Sequence, residues 1–222
     1  MATPDYRAKT MFAEATGTTR KVSVPSGTLK GDSVYVAIQV AQKTVPIVAP
    51  EGWKEVAGQL DQALEAARHA VFYLANWDEA KHGKEFTFSW GGASKGNRGV
   101  IWSMLGSDAT NPVAAVSNAT LKENTPKSKS AICDALTTMT KENRLVTIVF
   151  NNEGATATPA AGWTEQGDQT DGPQICTKTT SVEAGVQAAV THTLTIASLG
   201  VTVQFAVQPP QEAVGVDNAT VV

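Results

Sequence analysis

Cysteine is scarce: Cys133 and Cys176 are the only two in 222 residues. Neither belongs to a Cys-x-x-Cys motif or stands near a pair of histidines, which excludes the usual zinc frameworks and redox dithiols. As lone residues inside strand-like stretches they read as small buried hydrophobes, and whether they pair is open at this stage. Histidine is equally sparse, with His69, His82 and His192 far apart in the chain. A Gly-x-Ser-x-Gly elbow, a His-Glu-x-x-His helix, a phosphate-binding Gly-Lys-Ser/Thr and an Asp-rich calcium loop are all missing. No apolar run approaches the ~20 residues of a membrane-spanning helix. The opening Met-Ala-Thr-Pro-Asp has neither the basic nor the apolar region of a secretory signal.

Acids at short spacing deserve separate attention, because glycosidases work with two carboxylates. Asp78-Glu79, Asp61/Glu65 and Asp168/Asp171 are the candidates, and all fall in expected loops or a helical turn, where such acids are solvated. The expectation is therefore a protein that is not an enzyme and needs no metal or cofactor.

The formal charge of −3 is unevenly spread. Residues 1–30 carry five Lys/Arg and two Asp/Glu, residues 31–150 carry twelve of each, and residues 151–222 carry one base against seven acids. An acidic final third repels phosphate backbones, so nucleic acid is not an expected partner, and the short apolar runs make a membrane an unexpected one as well. A basic beginning and an acidic end suit complementary neighbours in an assembly.

The dominant period is two, that of strands with one buried face. Val201, Val203, Phe205 and Val207 alternate with polar or small residues, and Phe86, Phe88 and Trp90 do the same. Denser runs at Val34–Ala41 and Leu145–Phe150 predict central strands covered on both sides. Turn residues such as Pro50-Glu-Gly52, Gly91-Gly92 and Asp171-Gly-Pro173 punctuate these runs. The fold class expected is all-β, a two-sheet, jelly-roll-like β-sandwich of about eight main strands. One stretch departs from the pattern. Leu60, Leu64 and Ala67 fall at helical spacing and predict a short helical turn at about 59–67.

The chain also echoes itself. A strand opening at Asp32 is followed about twenty residues later by Pro50-Glu-Gly-Trp-Lys-Glu55, and one opening at Asn143 by Ala160-Ala-Gly-Trp-Thr-Glu165. Each half continues with three further strands. Duplication produces such an echo, and so does the strand–turn grammar common to all-β chains. In both places the glycine permits a positive-φ turn, and Trp53 and Trp163 are placed to cap the end of a sandwich.

The order of motifs resembles a β-sandwich family common among bacteriophage virion proteins of the minor-tail and capsid-decoration types. Val24-Pro-Ser-Gly27 with Lys30-Gly-Asp-Ser-Val-Tyr-Val36, Ala49-Pro-Glu-Gly-Trp53 and Ala70-Val-Phe-Tyr-Leu74 carry the first half of the resemblance. Trp102-Ser-Met-Leu-Gly106 with Asp108-Ala-Thr-Asn-Pro-Val113 follows, then Arg144–Ile148, Pro159-Ala-Ala-Gly-Trp163 and Val201–Val207. It covers roughly residues 22–208, and the insert at Leu60–Arg68 departs from it. The resemblance implies a non-enzymatic structural protein of a phage particle, made in the host cytoplasm and located in the virion. Its partners would be the major capsid or tail protein, with the chain itself homo-oligomeric or lattice-bound.

The expected organisation is one domain over residues 1–208, with residues 1–8 as an N-terminal arm and 209–222 as a C-terminal tail or arm. In that tail Pro209, Pro210, Val214, Val216, Val221 and Val222 are the candidate partner-binding residues, able to add to a neighbour's sheet edge or groove. The competing function is adhesion to host glycans. Trp77 and Trp90, at strand ends, are the candidate sugar-stacking residues.

Overall fold

The structure, a computed structural model, describes residues 3–14, 16–42, 45–62, 66–151, 154–169 and 171–211. The first half contains β1 (Asp5–Glu14), β2 (Gly17–Ser23), β3 (Ser33–Val40), β4 (Lys54–Gln62) and β5 (Ala67–Leu74). A single turn of helix, α1 (Glu79–His82), then leads to β6 (Glu85–Ser94) and β7 (Asn97–Leu105). The second half begins with β8 (Val113–Val116), β9 (Lys122–Glu123), β10 (Ser128–Cys133), β11 (Leu136–Thr138), β12 (Arg144–Phe150) and β13 (Ala157–Thr158). It continues through β14 (Trp163–Asp168), β15 (Pro173–Lys178), β16 (Gly185–Gln187), β17 (Val190–Ser198) and β18 (Val201–Val207). The molecule is all-β, in several antiparallel sheets layered as in a β-sandwich. Eighteen strands stand among the described residues where alternation predicts about eight.

The two large sheets have one topology. The first runs β1-β7-β3-β5-β4, and the second, read from its β8 edge, runs β8-β18-β12-β15-β14. Element for element, β8 replaces β1, β18 replaces β7, β12 replaces β3, β15 replaces β5 and β14 replaces β4. The small sheets follow suit. β2 pairs with β6, which Val48 bridges through Ser89, while β10 pairs with β17, which is bridged in turn by β13. The two halves of the chain thus repeat one strand order, with β9 an addition to the second sheet.

The large sheets pack face to face. Tyr35, Val71, Tyr73, Val100 and Trp102 from the first meet Val146, Ile148, Phe150, Val203 and Phe205 from the second in one buried cluster. Reciprocity makes the packing a pseudo-twofold: β4 lies against β8 and β9, and its counterpart β14 lies against β1. At one edge the Gly58 N–H donates to the Ala119 carbonyl at 2.7 Å and Gly58 accepts from the Leu121 N–H at 2.9 Å. At the other, the Tyr6 hydroxyl donates to the Gln166 carbonyl at 3.4 Å.

Outer layers cover the backs of both sheets, so the dense runs of β3 and β12 are buried on both sides, as the sequence predicts. Val34, Val36, Ile38 and Phe72 pack under Phe86, Phe88 and Trp90. Behind the second sheet the filling is smaller and more polar. Val149 meets Cys133, Val190 and Leu194, with Thr147, Gln174, His192 and Gln204 also buried.

Two expectations are corrected here. No helical turn forms at residues 59–62: β4 runs on to Gln62, Asp61 and Arg68 are cross-strand partners joined by a 2.8 Å ion pair, and the Gln62 amide donates to the Leu199 carbonyl. Residues 63–65 lie outside the described part. Tertiary pairing overrides the local spacing, because a strand here satisfies backbone and buried side chains together. Residues 5–8 are the first part of β1, hydrogen-bonded to β7, rather than an arm. Ahead of them, the Thr3 hydroxyl donates to Glu142 and the Pro4 carbonyl accepts from Arg144.

Candidate functional surface

The residue types that carry chemistry are dispersed by the fold. His69 is enclosed between the large sheets with its ring edge-on to Phe150 at 4.9 Å, and burial pushes its pKa down to about 3. His192 is buried in the outer layer of the second unit. Its Nδ1 accepts from the Ala160 N–H at 3.2 Å, which makes Nε2 the protonated nitrogen, 3.0 Å from the Thr147 hydroxyl. Desolvation holds this imidazole down to about 4. His82 accepts the Asp78 N–H on Nδ1. Among the described residues no three His, Cys, Asp or Glu side chains are grouped to hold a metal ion.

The short-spaced acids are taken up by neighbouring cations or by caps. Asp61 pairs with Arg68, Asp171 with Arg98 at 3.0 Å and Asp78 with Lys30 at 2.6 Å. Asp78 also caps α1 by accepting from the Ala80 N–H, and the Lys30 and Ala80 bonds hold its carboxyl below the usual carboxylate range. Burial instead raises Asp168. Cys133 and Cys176 are both free and buried, and desolvation raises both thiols, Cys176 to about 12.

Trp77 and Trp90 lie in the apolar core of the first unit. Their indole N–H groups donate to the Gly83 and Gly17 carbonyls at 3.1 and 2.8 Å. Neither ring keeps an open face on which a sugar could stack, which corrects the exposed placement expected for them. The Gly-Trp turns behave alike in both units. Gly52 and Gly162 have φ of 86° and 80°, and Trp53 and Trp163 close their turns by donating to Pro50 and Ala160. Trp53 stands edge-on to Phe86 and Phe88, and Trp163 edge-on to His192.

The halves differ most in one connection. Between β5 and β6 the first unit has α1, pinned by Trp77 and the Asp78 cap. It walls a cavity of about 560 Å³ together with the Pro50–Gly52 turn, over a floor that includes Phe86; Glu51, Lys81, His82 and Glu85 supply its polar groups. The second unit has β16 in that position, paired with β11 as a separate two-stranded ribbon. Leu136 and Thr138 of β11 point inward, which turns Thr137 outward, and Met139 just after the strand is exposed. Val186 is paired opposite Thr137, and Met139 directly follows the last residue of β11. Met139 and Val186 are 83% and 77% exposed, the largest exposures among the described large apolar side chains.

A groove of about 380 Å³ adjoins this ribbon, with Met139, Glu183, Pro209 and Gln211 among its lining residues. Gln208 donates its N–H to Pro112 at 2.9 Å and its amide to Asn111 at 2.6 Å. Pro209 is buried and Pro210 exposed, and the Gln211 N–H reaches Asp108 at 3.3 Å. The other candidate arm residues, Val214, Val216, Val221 and Val222, lie outside the described part. Met139 and Val186 escape a sequence reading, since each is a lone apolar residue beside Thr or Gly with no alternating run to mark it. Comparison with protein-family models, curated proteins and solved structures returns no match for this chain.

Proposed function

We propose that this protein is a non-enzymatic structural component of a phage particle, attached to the capsid or tail surface by the end of the molecule that carries β11 and β16. The observation that carries the reading is the exposed pair Met139 and Val186. Val186 lies on β16 of the ribbon that replaces α1 of the other unit, and Met139, directly after β11, lines the groove beside Pro209 and Gln211. Large apolar side chains left exposed to this extent mark a contact surface. The motif order set out above supplies the kind of particle, and a jelly-roll-like character for each unit belongs to the same reading. Attachment would place the protein in the virion, against the major capsid or tail protein, in several copies.

The test is stoichiometric co-purification with particles. Met139→Asp combined with Val186→Asp, and separately deletion of residues 212–222, are expected to abolish incorporation while leaving the melting temperature within a few degrees of the parent. Unchanged incorporation of both variants overturns the reading. The 560 Å³ cavity favours a second reading, a carbohydrate-binding module for host glycans, because it sets hydrogen-bonding groups of both kinds around an aromatic floor. Glycan-array binding lost in Glu51→Ala and Glu85→Ala would support that alternative.

A further inference from the structure

We propose that the slot between α1 and the Pro50–Gly52 turn receives an extended peptide segment of another protein, which adds as a strand to the open edge of β6 at Glu85 and Thr87. The slot belongs to the first unit and is separate from Met139 and Val186, so a failure here leaves attachment through that pair untouched. It is the cavity in which the second reading places a glycan.

Backbone directions along β6 define the edge. The Val24 N–H donates to the Lys84 carbonyl at 2.8 Å, and β2 then pairs with β6 in unbroken register from Ser23↔Glu85 to Thr19↔Ser89. Hydrogen-bonded pairs alternate in an antiparallel ladder, so Phe86 and Phe88 turn their N–H and C=O groups to β2, while Glu85, Thr87 and Ser89 turn theirs away. Ser89 shows this directly: it exchanges two bonds with Val48, at 2.8 and 3.0 Å. Past Val48 the chain departs into the Pro50–Gly52 turn. Among the described residues no strand pairs with Glu85 or Thr87 on that side. The cavity of about 560 Å³ opens there, lined by Glu85, Phe86 and Thr87, by the turn, and by Lys81 and His82 of α1.

Other edges are guarded. β1, β4, β8 and β14, the outer strands of the two large sheets, each have an irregular register against their neighbour. Bulges of that kind discourage the addition of a strand. β6 has none between Glu85 and Ser89. In the second unit β13 runs along β17 with the pairs Ala157↔Leu194 and Thr158↔Thr193, where the first unit has the one bridge at Val48.

The occupant follows from the groups offered. The N–H donors and C=O acceptors of Glu85 and Thr87, two residues apart on one strand, match the backbone of another extended chain about 4.8 Å away. Cross-strand neighbours share a face, so the residue opposite Phe86 would be apolar. Walls on both sides leave room for one strand and not for the sheet edge of a second folded copy.

A display library of random short linear peptides would be selected against the full chain, and the strongest binder synthesised for titration of the isotope-labelled protein. Binding is expected to slow amide hydrogen exchange at Thr87 and Glu85 by about tenfold or more, with Phe86 and Phe88, already bonded to β2, unchanged. Of two versions of the peptide N-methylated at alternate residues, one is expected to lose about tenfold or more in affinity and the other to keep it, because only one set of its amides faces β6. Thr87→Pro removes an N–H that β2 does not use and is expected to weaken binding in the same way. The N-methylated pair keeps the test valid should that variant fold poorly. Failure to select a binder, unchanged exchange at Thr87 and Glu85 on binding, or equal affinity of the two N-methylated versions overturns the proposal. So does an oligosaccharide that slows those two amides where no peptide does, which would assign the cavity to a glycan.

Discussion

The rings of Tyr35 and Phe205, one from each structural unit, lie with centroids 5.8 Å apart at the interface of the two large sheets. Trp102 stacks on the same Tyr35 at 5.3 Å and 17°. The units therefore share the buried cluster that holds Trp102, Tyr35, Phe150 and Phe205.

Truncation at this contact follows from that sharing. Trp102→Ala or Phe205→Ala is expected to cost about 3–5 kcal/mol, as for other large buried aromatics. Unfolding should remain a single transition, with Trp fluorescence, which mostly reports the first unit, and far-ultraviolet circular dichroism changing together in urea. Two separated transitions would show that the units fold independently.

Acid should destabilise the protein through its buried imidazoles. In the unfolded chain a histidine binds its proton near pH 6.5. In the folded chain His192 does so at about 4 and His69 at about 3. Between these limits the unfolded state holds more protons, so stability is full above pH ~6.5 and falls as the pH is lowered towards 4 and then 3. The urea midpoint measured from pH 8 to pH 4 checks this, and His69→Phe should flatten the curve.

Both thiols are enclosed and raised by desolvation. A thiol–disulfide reagent at pH 8 is expected to leave Cys133 and Cys176 unmodified in the native protein and to titrate both in denaturant. Rapid native reaction of either would contradict the burial described.

The Gly-Trp turns should respond alike to substitution. An alanine Cβ at Gly162 meets nothing within 4 Å, so the penalty for Gly162→Ala is that of the positive φ alone, about 1 kcal/mol. At Gly52 the Cβ also meets Leu74 Cδ1 at 3.4 Å, ordinary contact, and a cost of the same order is expected. Thermal melting of both variants measures it.

Much of the β-framework was legible because burial on one or both faces leaves a direct trace in side-chain order. Val34–Ala41 anticipates β3 at Ser33–Val40, and Val201–Val207 is β18 to the residue. The repeated Gly-Trp turns marked the repeated topology, because a positive φ ahead of a strand restricts the residue used. β4 was misread, since Leu60 at helical spacing is also a strand residue facing the core, and only its pairing with β5 decides between them. The fate of Trp77 and Trp90 was equally hidden: an indole at a strand end serves a core or a ligand, and the Gly83 and Gly17 carbonyls that hold it are set by tertiary structure. The exposed pair at Met139 and Val186 depends on a ribbon that forms only because β16 meets β11, 47 residues from the Thr138 side to Gly185.

Nuclear Overhauser contacts from the Tyr35 and Trp102 rings give the most direct test of the face-to-face pairing on which everything above is built. Cross-peaks from these rings to Phe205 and Val203 are the result this architecture requires. Cross-peaks confined to residues of the first unit, with Phe205 contacting only the second, would contradict it.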